Sequence, residues 1–271
     1  MPIIAMTKEM GSLGTFIGEE VARELGYEFI RQDIIREAAR EYRALEEKIV
    51  EAVEDKPGFF EILGDTARRH HTFVAAEVYE FAMRERVVIM GRWSTQLLRE
   101  VGHAIRIRVT APLDVRIRRV MERLSIGEAE ARTRIRHYDD GVASRIRQFF
   151  VVEWADPLGY DLTINTEKVS LATGVAQVRE LVKAPEFQPT ETSLRRLENL
   201  ALAAKVRAIL KSHRRTSHLD VDITASDGEV TLRGIVPEVI DRDDIEQIAR
   251  AVPGVGRLKN ELIALEEHRR L

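Results

Sequence analysis

The first 26 residues constrain the fold more than any other stretch of the chain. An apolar run, Pro2-Ile3-Ile4-Ala5-Met6, leads into a polar loop with two glycines, Thr7-Lys8-Glu9-Met10-Gly11-Ser12-Leu13-Gly14-Thr15, and then into a helix-forming segment, Phe16 to Leu25. A buried strand that delivers a glycine-bearing loop to a helix N-terminus makes an anion cradle. The glycines let backbone N–H groups approach the anion, and the positive end of the helix favours negative charge. The loop is close to the phosphate-binding pattern G-x-x-x-x-G-K-[ST] but departs from it at one place. Thr15 follows Gly14, where that pattern has lysine. The residues alone leave two readings open, a phosphate cradle and an ordinary strand–turn–helix corner.

With 271 residues the chain can hold one large domain or two smaller ones. Its 44% hydrophobic and 32% charged content suits a soluble globular protein. No apolar run approaches the roughly 18 residues of a membrane-spanning helix, and no basic segment precedes an apolar one as in a signal peptide. The absence of cysteine excludes disulfides and thiolate metal sites. Together these features lead us to expect a cytoplasmic protein. A net charge of −3 gives no global attraction for nucleic acid, and none is expected as a partner.

Along the chain, short apolar runs alternate with helix-forming segments. Strands are expected at residues 27–30, 87–90, 104–110 and 161–165, with helices at 33–53, 60–84, 95–101, 112–124, 125–150 and 170–182. Lys56-Pro57-Gly58 is a break. The alternation implies a parallel sheet with helices on both faces, and ligands in such sheets sit at the carboxyl ends of the strands, here Met6, Phe29, Met90 and Val109. Pro185 and Pro189 mark residues 184–196 as a linker. Beyond it, a helix (197–211), two alternating strands (219–224 and 229–233) joined by Asp227-Gly228, a second helix (241–251) and a last strand (258–265) form an α-β-β-α-β unit. The expected fold class is therefore α/β, a three-layer parallel-sheet domain over 1–183, followed by a small α+β domain over 197–271.

The loop Thr7 to Gly14 resembles the cytidylate-kinase-like family, a P-loop branch of the nucleoside monophosphate kinases. So do Glu24-Leu25-Gly26-Tyr27-Glu28-Phe29, Ile34-Ile35-Arg36-Glu37-Ala38-Ala39, Val88-Ile89-Met90-Gly91-Arg92 and Ala111-Pro112-Leu113 with Arg116 and Arg119. Trp154-Ala155-Asp156-Pro157 and Tyr160 to Thr166 add to the likeness, in an order and spacing that is fairly specific. Val230-Thr231-Leu232-Arg233-Gly234 and Val252-Pro253-Gly254-Val255 with Lys259-Asn260 resemble a BON domain. The first resemblance implies a P-loop fold, ATP and Mg²⁺ as cofactors, and a nucleotide acceptor, cytidine monophosphate among them. The second implies a phospholipid or small-molecule ligand, or a partner protein. The oligomeric state is left open.

Phosphoryl transfer needs backbone donors, cations and usually Mg²⁺. Gly11, Ser12, Leu13, Gly14 and Thr15 are the candidate donors, and Lys8 is the candidate cation in place of the missing lysine; the other reading of Lys8 is a solvated turn residue. Thr15 is the candidate Mg²⁺ ligand, with Ser12 second, and a helix N-cap is the alternative for both. By resemblance Arg92 grips the acceptor, and Asp33 contacts its ribose or base. The family's acidic position is shifted by two here, with Arg31 in its place, and Asp33 can also be a helix cap. Arg132, Arg134, Arg136, Arg145 and Arg147 resemble an arginine-rich lid over the transferring group. From this set Arg136 and Arg145 are the catalytic candidates, with Asp139 as a substrate contact. The alternative is a solvated helix face with acid–base pairs. His70-His71 and Asp241, Asp243 and Asp244 read as structural, since adjacent helical histidines point about 100° apart and acids suit a helix start.

Three functions follow from these residues: an ATP-dependent nucleoside monophosphate kinase with an accessory module, a nucleotide sensor that has lost turnover and signals through that module, and a binding protein whose P-loop domain is a scaffold.

Overall fold

A computed structural model describes residues 1–31, 34–35 and 59–268. Apart from residues 34–35, which are helical, the expected helix over 33–53 lies outside the described residues, as does the break at Lys56-Pro57-Gly58. The chain divides into two compact units, one of residues 1–32 with 84–194 and one of residues 33–83 with 195–271.

The first unit is built on five parallel strands: β1 (Ile3–Lys8), β2 (Glu28–Arg31), β3 (Val87–Met90), β4 (Ala104–Thr110) and β5 (Leu162–Asn165), in the order β2-β3-β1-β4-β5. β1, β3 and β4 read in sequence as continuous or alternating apolar runs, as expected for strands buried on both sides, while the edge strands β2 and β5 keep exposed residues. The register pairs Ile4 with Val88 and Ile105, and Met6 with Met90 and Ile107. These side chains share one face with Val109 and pack against Ile17 and Val21 of α1 (Gly14–Leu25) and Val175 and Val178 of a helix at Leu171–Lys183. The alternate residues Ile3, Ala5, Val87 and Ile89 are fully buried on the opposite face, so both faces are covered. The three-layer parallel architecture expected from the sequence is the one observed.

At the carboxyl end of β4 the chain enters two further helices. We label α2 (Phe59–Ala82), α3 (Ser94–Leu97), α4 (Leu113–Leu124), α5 (Glu128–Phe150) and α6 (Leu171–Lys183) in chain order. The α4–α5 break falls at Ser125, whose φ of 53° places it in the left-handed region and ends α4. Along α5, Ala131, Ile135, Val142 and Ile146 form a buried stripe, and Ile117 and Val120 of α4 meet its first half together with Met10 of the glycine loop. The helical pair thereby packs directly onto the loop.

The helix α7 (Glu191–Ser212) starts inside the stretch read as a linker. Thr190 and Ser193 explain this: the Thr190 N–H donates to Ser193 Oγ at 2.9 Å and the Ser193 N–H donates to Thr190 Oγ1 at 3.1 Å, a reciprocal cap. In the second unit, α7 precedes β6 (Asp222–Ser226), β7 (Glu229–Val236), α8 (Val239–Arg250), β8 (Arg257–Ala264) and a final turn, α9 (Leu265–His268). β6 and β7 are antiparallel, and β7 and β8 parallel. Asp227 and Gly228 turn the hairpin with φ of 49° and 76°, the two positive values a two-residue hairpin turn requires. The core contains Val206, Ile223, Val230, Leu232, Ile245 and Leu262. The small α+β unit is thus present as expected.

Among the described residues, no helix is long and apolar enough to cross a membrane, and no group of three or more His, Asp or Glu is placed to hold a metal ion. Asp241 accepts the Glu238 N–H at the start of α8, and Asp244 pairs with Arg215, which accounts for two of the three acids structurally.

Candidate functional site

β1 ends at Lys8, and α1 starts at Gly14, so Glu9 to Leu13 form a tight connection at the carboxyl edge of the sheet. Ile17 makes the first backward bond of α1, its N–H donating to Leu13 O at 3.2 Å. The N–H groups of Gly14, Thr15 and Phe16 therefore have no acceptor within the helix. Leu13 carries no side-chain cap and sits at φ 64°.

The loop is held from behind by its carbonyl oxygens. Arg116 donates to Met10 O at 3.3 Å, Arg119 to Gly11 O at 3.4 Å and Thr166 Oγ1 to Ser12 O at 2.9 Å. Carbonyls bonded outward leave the N–H side of the loop facing the other way, toward the cleft. The Met10 and Ser12 N–H groups are exceptions, since the first donates to Asp139 Oδ1 at 3.2 Å and the second to Glu9 O at 3.2 Å. Glu9 is enclosed by Arg108, Arg116 and Thr110, all within hydrogen-bonding or ion-pair range of its carboxylate. Arg108 also donates to Ala155 O at 3.1 Å and lies 5.4 Å from the Trp154 ring centre, while the Trp154 indole donates to Thr7 Oγ1 at 3.2 Å. The Trp154-Ala155-Asp156-Pro157 segment is thus a brace for the root of the loop.

Both loop glycines are needed at this spacing. At Gly11, with φ 84°, a methyl would lie 2.8 Å from Arg116 O. At Gly14 it would lie 2.7 Å from Lys8 Cβ and 3.1 Å from Val109 Cβ. The stem of Lys8 therefore runs across Gly14, immediately before the position where the standard pattern carries its lysine.

A cleft of about 370 Å³ opens at this point, lined by Lys8, Glu9, Gly11, Leu13, Gly14, Thr15, Phe16, Arg119, Val120, Glu122 and Arg123. It gathers Lys8 and most of the loop residues singled out in the sequence. The Ser12 hydroxyl is not on it: Ser12 is fully buried and donates to Glu9 O at 2.8 Å. Thr15, half-buried, lines the cleft. The Lys8 amine is held below its ordinary value, first by burial and then by the Arg123 and Arg92 charges, against the opposing pull of Asp139.

The candidates on α5 have different settings. Asp139 bonds the Met10 N–H and forms an ion pair with Arg116, so its carboxylate is committed to the loop. Burial raises its pKa despite Arg116, whose hydrogen bond and charge pull it the other way. Arg132 and Arg134 pair with Glu128 and Glu130 one turn earlier, and Arg147 with Glu153. Arg136 and Arg145 stand exposed. The arginines that line the cleft, among the described residues, are Arg119 and Arg123 of α4. Arg92 follows β3 through Gly91, whose N–H donates to Met6 O at 3.1 Å, and its Cζ lies 5.4 Å from the Tyr138 ring centre. Asp33 lies outside the described residues.

Sequence reasoning passed over three residues that the fold brings to this place: Tyr138, Arg123 and Glu9. Tyr138 had a signal, since it continues the buried stripe 131, 135, 142, 146 of α5. Glu9 and Arg123 had none, because their partners are far off in sequence.

Comparisons with known proteins agree with this geometry. Residues 3–168 match the profile of the "Cytidylate kinase-like family", and residues 199–265 that of the BON domain. The cytidylate kinase of Staphylothermus marinus is 33% identical over 107 residues, which cover 39% of this chain and 59% of the relative. This chain therefore spans little more than half the length of that relative. An uncharacterized protein from Eubacterium ventriosum has the same fold, with a TM-score of 0.55 at 18% identity, over 68% of this chain and 99% of that one.

Proposed function

The chain belongs to the cytidylate kinase-like family, and from that premise we propose that it is an ATP-dependent nucleoside monophosphate kinase whose Lys8 replaces the usual P-loop lysine. One observation carries this reading: the Lys8 stem lies across Gly14 and brings a cation from the strand end into the glycine-loop cleft. Gly11, Leu13, Gly14 and Thr15 receive the donor phosphates on backbone N–H groups, while the Ser12 N–H is bonded to Glu9 O. Lys8, with Arg123 at the rim, offsets their charge. Arg92 orients the acceptor phosphate. An acceptor phosphate oxygen attacks the γ-phosphorus as the bond to the β,γ-bridging oxygen breaks, giving a nucleoside diphosphate and ADP. Positioning and charge neutralisation, rather than covalent chemistry, are what these side chains contribute.

Mg²⁺ fits the site at Thr15, since the Ser12 hydroxyl is spent on Glu9 O and Thr15 lines the cleft. When bound, the ion neutralises charge on the β- and γ-phosphates. Cytidine monophosphate is the acceptor to try first. The functional division we propose is a kinase part at 1–183, a connector at 184–196 and a BON part at 197–271 that takes a small molecule, a phospholipid or a partner protein. A cytoplasmic location is part of the same proposal.

The deciding experiment is γ-phosphoryl transfer from Mg²⁺–ATP to a panel of ribo- and deoxyribonucleoside monophosphates, with ATP binding followed by calorimetry. Transfer that falls by an order of magnitude or more in Lys8→Ala supports the reading, as removal of one preorganised charge contact costs roughly 3 kcal/mol. ATP binding without transfer to any acceptor favours the sensor. That second reading has its own observation: the cleft arginines come from α4, while Arg132, Arg134 and Arg147 of the expected lid are tied up in surface ion pairs.

A further inference from the structure

Lys8 reaches the cleft from the end of a strand, and a lysine in that place lacks the guide that the loop itself gives to a lysine following the last glycine. The structure supplies a guide elsewhere. Lys8 Nζ lies 5.2 Å from the centre of the Tyr138 ring, and Arg92 Cζ lies 5.4 Å from the same centre. The Arg92 charge also acts on the Tyr138 phenol, pulling its pKa down against the larger effect of burial. One aromatic ring thus holds the cation of the donor loop and the cation at the end of β3. The two like charges repel, and the negative face of the ring offsets part of that repulsion; the Lys8 pKa is lowered first by burial, then by Arg123, with Arg92 a smaller contributor.

Tyr138 is well fixed for such a task. It lies on the buried stripe of α5 between Ile135 and Val142, and its neighbour Asp139 bonds the Met10 N–H and Arg116. The ring is therefore locked to the same loop that Lys8 leaves. Burial raises the Tyr138 pKa, so the phenol stays protonated through the neutral range.

We propose that Tyr138 is a positioning residue that sets Lys8 and Arg92 at the junction between donor and acceptor phosphates. The proposal rests on the kinase reading above and deepens it by naming what aims the substitute lysine. Tyr138 touches neither reacting group; it acts through the two cations.

The test uses the full chain and the variants Tyr138→Phe, Tyr138→Leu, Lys8→Ala and Lys8→Ala/Tyr138→Leu, with Mg²⁺–ATP and the best acceptor of the panel. Circular dichroism melts accompany each kinetic measurement. Loss of the ring in Tyr138→Leu lowers kcat by about tenfold, the equivalent of a cation–π contact of ~1.4 kcal/mol, with ATP affinity nearly unchanged. Tyr138→Phe keeps the ring beside both cations and restores most of kcat. In the Lys8→Ala background the Leu substitution has little further effect on kcat, since the group it aims is gone. If the Leu substitution costs the same with and without Lys8, the proposal is overturned while the kinase reading stands. If folded wild-type protein transfers no phosphoryl group, the kinase reading falls and this proposal falls with it.

Discussion

Lys8 Cβ and the Gly14 backbone are so close that no side chain fits between them: a methyl on Gly14 would lie 2.7 Å from Lys8 Cβ. Both this atom and Val109 Cβ at 3.1 Å are fixed by β1 and β4, so neither can swing aside as the end of a flexible side chain would. Gly14→Ala should therefore lower stability by about 2 kcal/mol, in the range of core overpacking, and weaken ATP binding more than stability alone explains. Thermal melts and ATP calorimetry on the variant check this. Wild-type ATP affinity in Gly14→Ala would show that Lys8 does not run along the loop.

Leu13 carries the opposite kind of strain. It is a branched-chain residue with no glycine's freedom, held at φ 64° at the entry to α1. The left-handed conformation costs an ordinary residue roughly 1–2 kcal/mol, more for a β-branched one and less for asparagine. Leu13→Val is expected to lower the melting temperature of the first unit clearly, and Leu13→Asn to leave it close to wild type although it deletes an apolar part of the cleft wall. A Val variant as stable as the parent would contradict strain at this position.

The sheet was readable in the sequence because parallel strands buried on both faces are short uninterrupted apolar runs, and β4 matched its expected span of Ala104 to Thr110. The glycine loop was readable because its spacing is chemical. What lay beyond reach were contacts across the chain. Glu9 is held by Arg108, Arg116 and Thr110, more than 95 residues away, and only the strand order brings them together. The choice between Ser12 and Thr15 depended on which hydroxyl turns inward, which loop dihedrals decide and composition does not. The start of α7 at Glu191 was hidden by Pro185 and Pro189, which outweighed the Thr190–Ser193 cap in a reading by breakers. Asp139 is a substrate contact only by resemblance to the family's lid pattern, and the structure places its carboxylate on the Met10 N–H and Arg116.

The Arg116–Asp139 pair predicts a measurable non-additivity. Arg116 is 8% exposed and bonds Ala111 O and Met10 O as well as Asp139, so removing Asp139 leaves a buried guanidinium and the Met10 N–H short of an acceptor. Asp139→Leu alone should cost about 3 kcal/mol, as for other broken buried pairs, and Arg116→Met added to it should recover part of that loss. The pH sign follows from burial. Asp139 has a raised pKa, so the folded state binds its proton more readily than the unfolded one, and its contribution to stability is lost as pH rises through the folded value. Asp139→Asn should abolish that part of the acid-range dependence. Unfolding curves for the wild type, Asp139→Leu, Arg116→Met, the double variant and Asp139→Asn at several pH values give both results; strict additivity of the two single variants would show that the pair is not coupled.

His71 offers a check on the second unit that is independent of nucleotide chemistry. Burial first, and then the charges of Arg207 and His70, lower its pKa from 6.5 to about 4. The folded state therefore holds His71 neutral where the unfolded chain is already protonated. By linkage, stability is constant above the unfolded value and is lost as pH falls from about 6.5 toward 4, where the folded form takes up its proton at last. The loss attributable to this side chain should reach ~2–3 kcal/mol. His103, fully buried and bonded through Nδ1 to Ser193 Oγ at 2.8 Å, is lowered in the same direction and adds to the trend in the first unit. Histidine ring resonances followed by NMR from pH 7.5 to 4 should show His71 titrating last or nearly so, and His71→Gln should flatten the pH dependence of the second unit's unfolding. A His71 midpoint near 6.5 would mean that the helix Phe59–Ala82 leaves this ring open to water.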